Sequence, residues 1–303
     1  MSLYKKHRPK KWETIIGNAA VIDSLRSQVA KKNPPHCFLF TGPTGCGKTT
    51  ISRILAKELN CVGADYREIN SASFRGIDTA REVIAQANYK ALEGANRMFM
   101  IDECHKLTND AQNALLKLME DTPPHVYLVF ATTEPDKLLK PFVGRCSVYQ
   151  LNTLTDTEMK KLLTRIVKKE GESLDEEVYE QIILDSLGHP RNALTVLEQV
   201  LTVEPNNRLE IAKKKAEEYI ASIELCRALL KKAPWRSVAE ILRSPTMKEV
   251  EGVRRAVCGY AAAVLIKGQS NDTAGLILEE FKNPFYDSGF PGLVYACYTV
   301  IRN

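Results

Sequence analysis

Residues 38–50 read FLFTGPTGCGKTT: an apolar run, a glycine-rich turn, then Lys48, Thr49 and Thr50 opening a stretch of helical periodicity. From Gly42 to Thr49 the turn fits GxxxxGK[ST], and it stands where that pattern has physical meaning, between a strand and a helix. Glycines at 42, 45 and 47 let the backbone curl so that successive N–H groups point inward, and the dipole of the following helix adds to the anion cradle. Gly42, Pro43, Thr44, Gly45, Cys46, Gly47 and Thr50 are therefore expected around a nucleotide phosphate chain. Lys48 would reach the β- and γ-phosphates, and Thr49 would ligate Mg²⁺.

Beyond this turn, further β-rich runs alternate with helical ones up to about residue 152. After HCFLFT (36–41) come YREIN (66–70), RMFMID (97–102), VYLVFATT (126–133) and SVYQL (147–151). Between them KTTISRILAKEL (48–59), DTAREVIAQANYKAL (78–92) and NDAQNALLKLMED (109–121) carry helical periodicity. Short apolar strands separated by helices predict an α/β fold with a buried parallel sheet of five strands. The third run ends in two acids. Asp102 at its C-terminus is the expected Mg²⁺-side carboxylate, and Glu103 is placed to polarise a water for attack on the γ-phosphate, which points to hydrolysis. Thr133, ending the fourth run, is a candidate for positioning that water.

From Thr153 the strand pattern stops. Two capping boxes, Thr155 with Glu158 and Ser173 with Glu176, mark helix starts, and Pro205-Asn206-Asn207 marks a break before a last helical block. The predicted division is an α/β core at 1–152, an all-α lid at 153–206 and an all-α domain at 207–303.

The 303 residues are 44% hydrophobic, enough for a substantial core, and the net charge of +5 makes any nucleic-acid surface a local one. Eight cysteines without a CxxC pair give neither a disulfide framework nor a zinc site, so reduced thiols and no zinc are expected. The basic stretch Lys5–Lys11 lacks an apolar h-region, and no run approaches about 20 apolar residues, which predicts a chain that is neither secreted nor membrane-bound.

Six stretches together carry a resemblance: YKKHRPKKWETIIGN (4–18), GPTGCGKT (42–49), IDECHKL (101–107), NALLKLMED (113–121), ATTEPDKLLKPFVGRC (131–146) and GHPRNAL (188–194). In order and spacing they resemble the AAA+ ATPase subunits of DNA sliding-clamp loaders, the group of bacterial gamma/tau and the replication factor C small subunits. The resemblance implies ATP and Mg²⁺ as cofactors, with Tyr4, Arg8, Pro9 and Ile16 at the adenine. It implies that Arg191 comes from the lid to the bound nucleotide in cis, and that Arg145 reaches the γ-phosphate held by a neighbouring subunit. No acid stands near Arg145 among residues 141–150, and Gly144 replaces the serine usual in that motif. The last block, 207–303, would be the collar of the oligomer. Arg75, Arg81 and Lys117 match positions that track DNA phosphates in the family.

The resemblance thus implies a motor subunit that opens a sliding clamp and places it on primer–template DNA, within an assembly of clamp-loader subunits, a pentamer in the family. It implies a cytoplasmic or nuclear site of action. The zinc module of bacterial gamma/tau has no room between Cys61 and Tyr66, so the chain looks closer to phage, archaeal or eukaryotic small subunits. A branch-migration motor of the same superfamily, a DExH-type helicase suggested by DECH at 102–105, and a non-catalytic ATP-binding scaffold remain as alternatives.

Overall fold

The computed structural model describes residues 2–71, 76–244, 247, 250–266, 271–285 and 287–302, with 213–220 as backbone only. The chain forms two compact units, one of residues 1–173 and 186–198, the other of 174–185 and 199–303.

The first unit is built on β1 (Cys37–Thr41), β2 (Tyr66–Asn70), β3 (Arg97–Asp102), β4 (Val126–Thr132) and β5 (Ser147–Gln150). All pairs are parallel, in the order β2-β3-β4-β1-β5, so that β4 runs between β3 and β1. Ahead of the sheet stand α1 (Leu3–Lys6) and α2 (Ala19–Val29); α3 (Lys48–Glu58) follows β1, α4 (Ile77–Ala87) follows β2 and α5 (Asn109–Glu120) follows β3. Then α6 (Lys140–Gly144) precedes β5 and α7 (Asp156–Glu170) follows it, with α8 (Glu176–Ser186) and α9 (Pro190–Leu201) next in the chain.

Side chains alternate across the sheet and build a core on each face. Phe38 and Phe40 pack with Ile22 and Leu25 of α2 and with Ile51, Ile54 and Leu55 of α3. Cys37 and Leu39 turn the other way, into a cluster with Val83 of α4, Ala111 and Leu115 of α5 and Phe142 of α6. Burial of each such large apolar side chain contributes about 1.5–3 kcal/mol, so the register is fixed by both faces at once.

The predicted strands are the observed ones to within a residue at either end. Two local expectations need correction. The helix read over 78–92 ends at Ala87, because the following segment wraps a buried carboxylate. The N–H groups of Leu92, Glu93 and Gly94 donate to Asp65 at 2.8, 2.7 and 2.8 Å, a role a continued helix would have denied them. The box at Ser173 does not start α8: the carbonyl of Asp175 accepts from the N–H groups of Val178 and Tyr179, so the helix begins at Glu176. The other box is as read: Glu158 N donates to Thr155 Oγ1 at 3.3 Å, and Thr155 N donates to Glu158 Oε2 at 2.9 Å.

The second unit is helical in its described residues. It includes α10 (Arg208–Leu230), α11 (Trp235–Leu242), α12 (Val250–Ile266), α13 (Asp272–Glu280) and α14 (Gly289–Arg302), around a core of Leu225, Leu229, Val238, Val257, Ile277, Phe281 and Leu293. Among the described residues no helix is long and apolar enough to cross a membrane. All eight cysteines are free thiols, and burial pushes those of Cys61 and Cys297 up to about 12.

Candidate nucleotide-binding site

The glycine-rich turn leaves β1 with Gly42, Gly45 and Gly47 at φ of +135°, +79° and +111°, angles at which an L side chain is strained. At Gly42 the backbone also lies so near the end of β5 that a Cβ would stand 2.2 Å from the Leu151 carbonyl oxygen. Around Gly47, by contrast, there is open space, as close approach of a phosphate requires. Lys48 opens α3 and is almost wholly buried. Its Nζ donates to the carbonyls of Gly42 at 2.7 Å and Pro43 at 2.9 Å, so the ammonium holds the curl of the loop from within.

Although β4 separates the two strands, α3 carries Thr49 to the end of β3. There Thr49 Oγ1 donates to Asp102 Oδ2 at 3.1 Å, while Asp102 Oδ1 accepts the N–H of Glu103 at 3.0 Å. Two oxygens this close can share one small hard cation. Glu103 sits at φ +55°, a left-handed backbone that costs a non-glycine residue about 1–2 kcal/mol and that turns its carboxylate away from the strand direction.

The opposite wall comes from the N-terminal segment and the start of α9. The guanidinium of Arg191 lies 5.8 Å from the centroid of the Tyr4 ring, and His189 Nδ1 is 3.0 Å from the Thr44 carbonyl. Leu3 N donates to Glu198 Oε2 at 3.3 Å, and Lys6 and His7 both pair with Glu170 at the end of α7. Lys6 and His7 thus clasp the N-terminal segment to α7. One cleft is lined by Tyr4, Arg8, Pro9 and Ile16, by Thr44 through Thr50, and by Asp102, Glu103 and Arg191. Gly42 and Pro43 shape the loop through the carbonyls that Lys48 engages.

The same cleft takes residues that the sequence did not single out: His7, Ile15, Asn18, Leu154, Leu162, Arg165 and Leu194. Leu162 and Leu194 announce only a buried helical face, and nothing local tells which one. Arg165 on α7 has its pKa lowered by burial alone. Arg8 is lowered too, first by burial and then by the charges of Arg53 and Arg191, with Glu68 opposing. A concentration of cations against an apolar shelf suits a base with a polyphosphate tail.

Other expected residues lie elsewhere. Thr133 is half-buried past the end of β4 and does not line the cleft. Arg145 caps the end of α6, outside the cleft, and it does have a partner within the chain: Nη2 donates to Glu120 Oε2 of α5 at 3.1 Å, and Nη1 to the Pro141 carbonyl at 3.1 Å. A search for acids limited to residues 141–150 misses Glu120, which tertiary folding brings from 25 residues upstream. Arg81 is exposed and paired with Asp78 at 3.2 Å, and Lys117 is exposed on α5. Arg75 lies outside the described residues.

The parallel sheet with this loop defines the class: residues 38–154 match the ATPase family associated with various cellular activities, and this part of the chain is an AAA domain. The relatives are narrower. The chain is 36% identical over 224 residues to DNA polymerase III subunit gamma/tau of Mycobacterium tuberculosis, which covers 66% of this chain and 39% of that protein. It is 33% identical over 212 residues to the replication factor C small subunit of Methanosarcina barkeri, covering 68% of this chain and 63% of the other. Their names are those of the two groups whose motifs the sequence resembles, and the chain spans less than two thirds of either relative. Among solved structures, the Thermotoga maritima RuvB Holliday junction branch migration motor is similar with a TM-score of 0.61 over 84% of this chain and 91% of that one. At 20% identity this is a likeness of fold.

Proposed function

We propose that this chain is the ATP-hydrolysing motor subunit of a loader that opens a sliding clamp and places it on primer–template DNA. The observation that carries the reading is the closed geometry of the cleft, in which Lys48, Thr49, Asp102 and Glu103 meet Tyr4 and Arg191 around one cavity. ATP would lay its base on Tyr4, Ile16 and the apolar shelf and its phosphates on the loop from Thr44 to Thr50. Magnesium would be held by Thr49 and Asp102 together with phosphate oxygens and water, and would neutralise charge developing between the β- and γ-phosphates.

Glu103 then orients the attacking water, and Lys48 and Arg191 balance charge on the phosphates. Arg191 ties the nucleotide to the segment after α8, so that binding is felt beyond the sheet. Arg145 reaches the γ-phosphate held by a neighbouring subunit once it leaves Glu120, which makes hydrolysis conditional on assembly. We keep the division into core, lid and collar for this reading, with the collar holding the oligomer. Exposed Tyr89 and Leu92, on the loop pinned by Asp65, favour a protein partner, and the exposed cations Arg81 and Lys117 suit phosphates of a duplex.

The branch-migration reading rests on a likeness of fold alone. A helicase of the DExH kind needs a second sheet domain, and the described residues hold one sheet. The test is steady-state ATPase of the assembled protein with and without clamp and primed DNA, beside Lys48→Ala. Stimulation that depends on both additions and vanishes in the variant supports the loader; a rate indifferent to the primer junction sinks it.

A further inference from the structure

His105 stands two residues after Glu103 and does not line the cleft, yet it contacts Glu103, which does. Its side chain is 5% exposed. Nδ1 lies 2.9 Å from Oγ1 of Thr132, a fully buried hydroxyl at the end of β4 that also accepts the N–H of Glu134 at 2.9 Å. On the other side of the ring, Nε2 faces two carboxylates, Glu134 Oε1 at 3.1 Å and Glu103 Oε2 at 3.5 Å. A bare nitrogen lone pair between two carboxylate oxygens would be repelled by both, so Nε2 carries a proton whatever the charge of the ring.

Both carboxylates stand at charge-contact distance from that one N–H, neither in hydrogen-bond geometry here. Glu134 is the nearer and has a second partner, Lys137 Nζ at 2.7 Å, whereas Glu103 has Lys106 Nζ at 3.7 Å. Among the described residues, the partners of the Glu103 carboxylate are His105 and the more distant Lys106.

We propose that His105 is a positioning residue for Glu103: its Nε2–H sets where that carboxylate stands and links it to the end of β4. This rests on the hydrolytic reading of Glu103. The segment after β4 leads through Glu134 to α6 and Arg145, so a shift of Glu134 changes the share of the N–H left to Glu103. The element offered to a neighbour and the acid of the subunit's own cleft then meet at one imidazole.

The substitutions His105→Asn and His105→Gln separate this role from packing. Asparagine can keep a polar atom near Thr132 but has nothing where Nε2 stands; glutamine can place an amide N–H there. We expect kcat for ATP to fall about tenfold or more in His105→Asn, with KM unchanged within about twofold, since a mispositioned base loses part of the 10²–10⁴ that such a group supplies. Glutamine should recover most of that loss. Equal losses in both variants that track an equal fall in Tm, or wild-type kcat in His105→Asn, would overturn the proposal.

A second readout needs no turnover: imidazole nitrogen shifts of the full chain by NMR. We expect the His105 proton on Nε2, and a change at its Nδ1 in Thr132→Val. A proton on Nδ1 with bare Nε2 would overturn the assignment even if hydrolysis is normal, whereas a wild-type chain without ATPase but with the expected nitrogen spectrum would fail the motor reading instead.

Discussion

Asp65 shows how a single buried charge can be held by the backbone. Its side chain has no exposed surface, and burial pushes the carboxyl up, but the N–H groups of Gly94, Leu92 and Glu93 and the Arg97 guanidinium outweigh this and hold it below the usual carboxylate range. Asp65→Ala should cost about 3–5 kcal/mol in urea unfolding, because it leaves Arg97 buried without its charge partner and three N–H groups without an acceptor. The pH dependence has a definite sign. A carboxyl whose native pKa is depressed contributes stability that is complete above its unfolded value of about 3.9 and is lost as pH falls through the native value. Wild type and Asp65→Asn should therefore differ by a constant amount at neutral pH and converge only in acid below about pH 4. Nothing near Asp65 in sequence announces this, because its donors lie 27–29 residues away. The acids of the cleft were legible for the opposite reason: Asp102 and Glu103 end an apolar strand, and their types and order carry the chemistry without knowledge of distant partners.

Among the elements, the glycine-rich turn depends on two close approaches of different kinds. Gly42→Ala should destabilise the chain by at least about 2 kcal/mol and weaken nucleotide binding, because φ of +135° is strained and a Cβ would meet backbone 2.2 Å away. Gly144→Ala is the contrasting case. Gly144 ends α6 with no atom within 4 Å of where an alanine methyl would stand and no left-handed angle, so alanine should raise stability by about 0.4–1 kcal/mol. Thermal unfolding of the two variants side by side checks both signs. The strands could be read because runs buried on both faces are short and continuously apolar. The end of α4 could not, because Asn88 to Leu92 have no helix breaker, and distant residues hold the end of the helix and the segment after it: Asp65 accepts the Leu92 N–H, Arg97 donates to the Gln86 carbonyl, and His125 Nε2 lies 3.0 Å from that of Tyr89.

For the protein as a unit, the proposed trans role of Arg145 separates a subunit that works alone from one that works in company. Its pair with Glu120 is partly exposed, 33% and 64% at the side chains, so it should contribute less than about 1 kcal/mol. Arg145→Ala should then leave the unfolding free energy nearly unchanged. Hydrolysis by the assembly should fall by about 10³–10⁵ if the guanidinium stabilises the γ-phosphate of a neighbour, while ATP binding by the variant persists. Nucleotide binding by fluorescence and turnover of the assembly, measured on the same preparation, separate the two. A variant that turns over like wild type would remove the trans role.

The five strands, the glycine-rich loop and the acid pair are local properties of the chain, because each depends on neighbours within a few residues: apolar continuity, glycine spacing and a strand end. What those pieces meet is a matter of packing. Folding places Thr49 on Asp102 across an intervening strand, Arg191 on Tyr4, Glu120 on Arg145 and Thr132 on His105. Those pairings are contacts between side chains far apart in the chain, and they follow from the order of strands in the sheet and the helices packed on it, which no local pattern encodes.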